Sequence, residues 1–192
     1  RKRCAFDFER PAIHKRRECV ELKNECISVV SMVNRDYLSE ESHTLRGAID
    51  RKALVTIRDI CNQEEPLATA TVDDYLSPNH LTIELADGLC DAESARIDVQ
   101  WTTQGDYKFH YTDSLNQNFR WGKHPTGDDF PHVSDLGHFH PPPGASSDPA
   151  NVEDSCIKQV DVRLVTRAVL KLWRVAYHRE SFKHLNTGEN PP

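Results

Sequence analysis

The sequence predicts an α+β fold: an antiparallel β-meander packed against a long C-terminal helix, with an N-terminal helical extension. Three observations point there. Apolar residues recur at helical spacing before about residue 61 and again after residue 152. Between these stretches, successive runs alternate apolar and polar residues with a period of about 2. The length of 192 residues and the 38% hydrophobic content suit one packed domain with an extension. The expected division is a helical extension over 1–66, an α+β domain over 67–184 and a disordered tail over 185–192.

The first helix is expected between His14 and Val33, with Val20, Cys26, Ile27, Val30 and Val33 on its apolar positions. Ser39 then stands as an N-cap before Glu40 and Glu41. The second helix would run to about Cys61, burying Leu45, Ala48, Ile49, Ala53, Ile57 and Ile60. Gly47 inside it costs about 1 kcal/mol relative to alanine. Two short helices with a turn permit a helix-turn-helix, but nothing marks a recognition helix. A packing or partner-docking hairpin is the plainer expectation.

The strands follow. A short one is expected near Thr71 to Leu76. Leu81, Ile83 and Leu85 alternate with polar neighbours, as do Ile97, Val99 and Trp101, then Tyr107, Phe109 and Tyr111, then Phe119 and Trp121. Gln104-Gly105-Asp106 and residues 113–117 are turn-like connections, so neighbouring runs pair antiparallel. Residues 122–156 carry six prolines and read as irregular. From Val152 to about Tyr177 helical spacing returns. Ile157, Val160, Leu164, Ala168, Leu172 and Ala176 form a stripe thickened by Val165, Val169 and Trp173. Arg163, Arg167, Lys171 and Arg174 line another face, suited to solvent or to an acidic partner.

Composition narrows the function. No apolar run approaches the roughly 20 residues of a membrane helix, so no membrane partner is expected. No charged-then-apolar leader is evident, and six cysteines lie without a Cys-x-x-Cys pair, which predicts free thiols in a reducing cytoplasm. The net charge of −6 is concentrated in residues 67–144, where 12 Asp/Glu face 4 Lys/Arg. Broad electrostatic binding of nucleic acid is therefore not expected there, although a small local site for RNA chemistry is allowed. The first 17 residues are locally basic and are expected to form a solvated arm.

Alternation gives the sheet two faces. The aromatic residues must face the core, which puts Arg96, Asp98, Gln100, Lys108, His110 and Arg120 on the other side. Position alone predicts an ordinary solvated face. The histidines argue for more. Five of the ten lie between residues 110 and 140: His110, His124, His132, His138 and His140. In Gly137-His138-Phe139-His140, an extended backbone points both imidazoles the same way and Phe139 toward the core. The following Pro141-Pro142-Pro143 fixes an extended exit. Two same-facing histidines can form an acid–base pair, one neutral and one protonated near neutral pH. They can equally be ligands of zinc or another divalent metal, with His124, His132, Asp128, Asp129 and Asp135 as further donors.

In this order of short motifs, residues from about 81 to 175 resemble the TumE-type toxin family of prokaryotic toxin–antitoxin systems. The matching elements are Tyr107-Lys108-Phe109-His110-Tyr111, Phe119-Arg120-Trp121, His124-Pro125, Phe130-Pro131-His132 and the H-x-H motif His138-Phe139-His140, followed by a helix. Where the family has an Asp-Asn pair after the aromatic residue, this sequence has Gly122-Lys123. The resemblance implies a cytoplasmic, RNA-cleaving toxin without a cofactor, neutralised by a cognate DNA-binding antitoxin protein. Cleavage of RNA without metal needs a base for the 2′-hydroxyl, an acid for the leaving oxygen and a cation at the transition state. His138 and His140 are the expected base and acid, Arg120 the expected cation, and His124 a further acid–base candidate. His110, Lys108 and His132 are the expected substrate-binding residues. Tyr107 and Trp121 fall on the core face and are not expected at the site. Two other classes remain open at this stage: a non-catalytic binding or regulatory module, and a metal-dependent hydrolase ligated by His138, His140 and His124.

Overall fold

The structure, a computed structural model, describes residues 45–125, 132–146 and 148–188, all within a compact unit spanning residues 37–192. The helix expected over 14–33, the Ser39 cap and the basic arm lie outside the described residues.

Seven strands form one antiparallel sheet in strict sequence order: β1 (Ala68–Val72), β2 (Leu81–Leu85), β3 (Ala95–Trp101), β4 (Tyr107–Asp113), β5 (Asn118–Lys123), β6 (Gly137–His140) and β7 (Glu153–Asp154). Two helices, α1 (Arg51–Glu64) and α2 (Val162–Arg179), pack on each other and share one hydrophobic core with the sheet. The expected α+β architecture, with the C-terminal helix covering the apolar face of a meander, is what the chain forms.

The alternating runs become β2 to β5 because their apolar members meet across strands. Ile97 pairs with Ile83 and Tyr111, Val99 with Leu81 and Phe109, and Phe109 with Trp121. Ring stacking reinforces the register: Tyr111 lies 4.2 Å from Phe119 and Trp101 lies 4.9 Å from Tyr107, both parallel. The turns work as their residues suggest. Gly105 takes φ +76° between β3 and β4, and Asn116 takes φ +60° between β4 and β5. In the second turn the Asp113 carboxylate accepts from the N–H groups of Leu115 and Gln117.

Besides the short strand expected near Thr71 to Leu76, which forms at Ala68–Val72, three expected boundaries move. Helix α1 starts at Arg51, capped by Asp50, whose side chain accepts from the Ala53 N–H at 3.0 Å. Gly47, at φ +86°, lies before it, and Ile49 bridges to Thr102 at the end of β3. Ala53, Ile57 and Ile60 are buried as expected, and α1 packs on β1, β2, β3 and α2. Helix α2 starts at Val162 rather than Val152, because Asp161 caps it through the N–H groups of Arg163 and Leu164. Its buried side is Val165, Ala168, Val169, Leu172, Trp173 and Ala176, whereas Val160 and Leu164 are exposed. The third change lies within residues 122–156, expected to be irregular, which supply β6 and β7.

The basic stripe of α2 is partly spoken for. Arg167 pairs with Glu64 at 2.6 Å and Arg174 with Glu65 at 2.7 Å, both at the end of α1. Leu185, expected to begin a disordered tail, is fully buried, and its carbonyl accepts from Trp121 Nε1 at 2.9 Å. At the open edge of the sheet, the Asn62 side chain satisfies both the N–H and the C=O of Ala70 on β1. Cys61, Cys90 and Cys156 are free thiols.

Candidate functional site

The polar face of β3 to β6 arises from the same alternation that builds the core. Antiparallel register aligns its side chains in two cross-strand rows. One row runs Asp98, His110, Arg120, His140. The next runs Lys108, Gly122, His138. The expected solvated face is corrected here: Lys108, His110, Arg120, His138 and His140 are each 5% exposed or less. Such burial of cations and imidazoles is costly, so the face is not generic surface.

His140 is fixed at both ring nitrogens. An arginine only donates, so the 2.7 Å contact makes Arg120 Nη2 the donor and His140 Nε2 the acceptor. His140 Nδ1–H then donates to the Ser146 carbonyl at 2.7 Å. His138 Nδ1–H donates to the Leu136 carbonyl at 3.0 Å, and His124 Nδ1–H to the Pro125 carbonyl at 3.2 Å. In the neutral rings of His138 and His140 the lone pair therefore sits on Nε2. The rings meet edge to face, His138 lying 4.5 Å from His124 and 5.1 Å from His140 between centroids.

Gly122 makes this arrangement possible. A Cβ there would stand 2.6 Å from His138 Nε2, so the imidazole occupies the space a side chain would take. His138 thereby leans across β5 toward β4.

Electrostatics follow from burial. Burial, reinforced by His124 and His140, pushes His138 down to about 2. Burial and the Arg120 charge push His140 down to about 3. Both rings are neutral at pH 7, which replaces the expected neutral–protonated pair with two neutral imidazoles. Burial alone lowers Lys108 to about 8 and Arg120 to about 10. His110 is also lowered, again mainly by burial, against the opposing pull of Asp98 and a hydrogen bond to Asn118. Asp98 itself forms an ion pair with Arg96 at 3.0 Å and accepts from the Thr82 hydroxyl at 3.2 Å.

The structure thus brings together six of the seven expected site residues: His138, His140, Arg120, His124, His110 and Lys108. His132 is exposed in a turn before β6. Tyr107 and Trp121 are core residues, as expected. As a metal set, His138, His140 and His124 fit poorly, because the Arg120 guanidinium occupies the Nε2 side of His140. Among the described residues no group of three or more His, Cys, Asp or Glu side chains suits a metal ion. Sequence reasoning did not find the three backbone carbonyls that orient the rings, which carry no side-chain signal. It noted Gly122 only as a departure from a pattern; the signal was there in a residue without a side chain beside an H-x-H motif.

The fold and site define a class: a meander domain carrying a shielded cluster of imidazoles and cations on its polar face. A family model described as Toxin TumE matches residues 56–177, well over half of the sequence, and the chain belongs to the TumE toxin family. No curated protein and no solved structure matches it. Membership makes the chain a toxin of a toxin–antitoxin system and implies an antitoxin partner. Among the described residues no helix is long and apolar enough to cross a membrane.

Proposed function

We propose that this toxin is a metal-independent endoribonuclease acting on cytoplasmic RNA and held in check by its cognate antitoxin protein. The observation that carries the reading is the concentration of charge. Residues 67–144 hold four Lys/Arg against 12 Asp/Glu, and three of those four, Arg96, Lys108 and Arg120, stand on neighbouring strands of the polar face beside the histidines. An acidic segment that gathers its cations on one face, two of them buried, is built for a small anion, and a phosphodiester is the anion whose cleavage needs bases.

In this reading the negative charge of the bound phosphodiester raises the basicity of His138, whose Nε2 lone pair then takes the proton of the 2′-hydroxyl. Arg120 donates to the non-bridging oxygens as charge develops on them. His140, accepting from Arg120 and anchored to Ser146, orients that guanidinium. His124 supports the His138 ring edge to face. His110, tied to Asn118, borders the substrate.

The test is cleavage of RNA by the purified chain with and without EDTA, beside Arg120→Met and the His138→Ala/His140→Ala double variant. Cleavage that survives EDTA and falls about 10²–10³-fold in Arg120→Met supports the reading. Loss with EDTA would move the chemistry to a metal. A folded chain that cleaves no RNA would leave a binding role as the better account. In cells, unpartnered expression is expected to arrest growth, and the double variant to relieve the arrest.

A further inference from the structure

We propose that Lys108 is the catalytic acid of this site, delivering the proton to the leaving 5′ oxygen from the opposite side of β5 to the base His138. The inference rests on the phosphodiester-cleaving reading above.

The geometry comes from the register. Lys108, Gly122 and His138 are consecutive members of one cross-strand row. Two strand spacings separate the outer pair by about 10 Å between Cα atoms. The central member has no side chain, and His138 Nε2 already leans into its place. A phosphate seated between His138 Nε2, which covers Gly122, and the Lys108 ammonium would have an imidazole on one side and a cation on the other, the arrangement an in-line displacement requires. The Lys108 charge is felt at both His110 and His140, so its ammonium serves this cluster.

The other groups are worse donors. Arg120 is committed to His140 and holds its protons far more tightly. His140 presents Nδ1–H to Ser146 and no proton on Nε2. His138 has its N–H on the backbone carbonyl of Leu136, and His124 turns Nδ1 to the Pro125 carbonyl at the strand's end, away from the Lys108–Gly122–His138 row. Lys108 is protonated at pH 7, yet burial brings it to about 8, within the range that suits a general acid.

The step balances. The 2′ oxygen gives its proton to His138 Nε2 and bonds to phosphorus. The bond from phosphorus to the 5′ oxygen breaks, and that oxygen keeps the electron pair and takes a proton from Lys108 Nζ. The products are a 2′,3′-cyclic phosphate and a 5′-hydroxyl. Water then returns a proton to the lysine and removes one from the imidazole.

Leaving-group chemistry tests this on the full chain. The substrates are DNA oligonucleotides with a single ribonucleotide, in each of the four bases, joined to the next residue through a 5′ oxygen or a 5′ sulfur. A thiolate leaves without protonation. Lys108→Met is expected to slow cleavage of the oxygen substrate by about 10²–10⁴-fold and to leave the sulfur substrate within about threefold of wild type. Lys108→Arg, which keeps a cation, is expected to behave the same way and guards against a folding defect in the methionine variant. The wild-type rate on oxygen should fall above about pH 8, and this limb should vanish on sulfur. His138→Gln should slow both substrates. Equal slowing of both substrates by Lys108→Met and Lys108→Arg would make Lys108 a binding residue and overturn the inference, as would full activity of either variant on oxygen. A wild-type chain that cleaves neither substrate nor any RNA would overturn the phosphodiester reading itself, and the inference with it.

Discussion

Strands β4, β5 and β6 have two faces, and both are shielded from water, yet they could hardly differ more. One presents Tyr107, Phe109, Tyr111, Phe119, Trp121 and Phe139 to the helices. The other presents Lys108, His110, Arg120, His138 and His140. Burial on the first face is a source of stability, since apolar area leaves water. Burial on the second opposes stability, since cations and imidazoles lose their hydration. The rings on that face are held by hydrogen bonds to backbone carbonyls and to Arg120, which partly offset the loss. Under the proposed function, such a face is kept for what it does to an anion rather than for folding.

The largest effect should come from the apolar face. Trp121→Ala is expected to cost about 3–5 kcal/mol of unfolding free energy, because a fully buried indole and its bond to the Leu185 carbonyl are both lost. Denaturant unfolding followed by circular dichroism measures it, and a loss under about 1 kcal/mol would break the contrast.

Acid probes the other face. Unfolded histidine takes up a proton near pH 6.5, whereas folded His138 and His140 resist it down to about 2 and about 3. Below pH 6.5 the unfolded chain binds protons that the folded chain refuses, so stability falls as pH falls. Between pH 7 and pH 5 the two rings together should remove roughly 4 kcal/mol. Replacing His138 by Gln should flatten the pH dependence by about half. A flat profile over that window would mean the rings are not held neutral.

Gly122→Ala acts on the polar face alone. The added methyl meets His138 Nε2, so the ring must turn away and release the Leu136 carbonyl. The expected cost is about 1–3 kcal/mol, with RNA cleavage lowered as far as in His138→Ala. A variant that melts like wild type and cleaves like wild type would show that the imidazole does not depend on the glycine.

The smallest change tests the sheet's rim. Asn62→Ala strips both backbone partners from Ala70 and should cost about 1–2 kcal/mol. Analytical ultracentrifugation should then show some self-association through the exposed edge. An unchanged melting curve would mean water replaces the amide without loss.

Much of the architecture was legible because its signals repeat. Leu81 to Trp121 alternate over four strands, and each strand confirms the register of its neighbour. The site was legible as a set of residues, since His138 and His140 share a face and Arg120 lies opposite His140. Other features were hidden for physical reasons. Strand β6 is four residues long and β7 two, too short for periodicity to register among prolines. The start of α2 was misplaced because Val152 and Ile157 are apolar for a different reason: they anchor a loop in the core rather than a helix. The neutral state of the two imidazoles was invisible because it depends on burial and on carbonyls of Leu136 and Ser146, neither of which residue type reveals.

The order in which the chain leaves the ribosome gives the strand order a consequence in time. All seven strands emerge before Val162, so the sheet can zip up hairpin by hairpin while its aromatic side still lacks Val165, Val169 and Trp173. Synthesis runs at about 5–20 residues per second, so the helix that seals the core follows the last strand by about 1–5 seconds. A chain released early would carry the polar face with nothing to hold it rigid, so premature termination yields an unsealed sheet rather than a working protein.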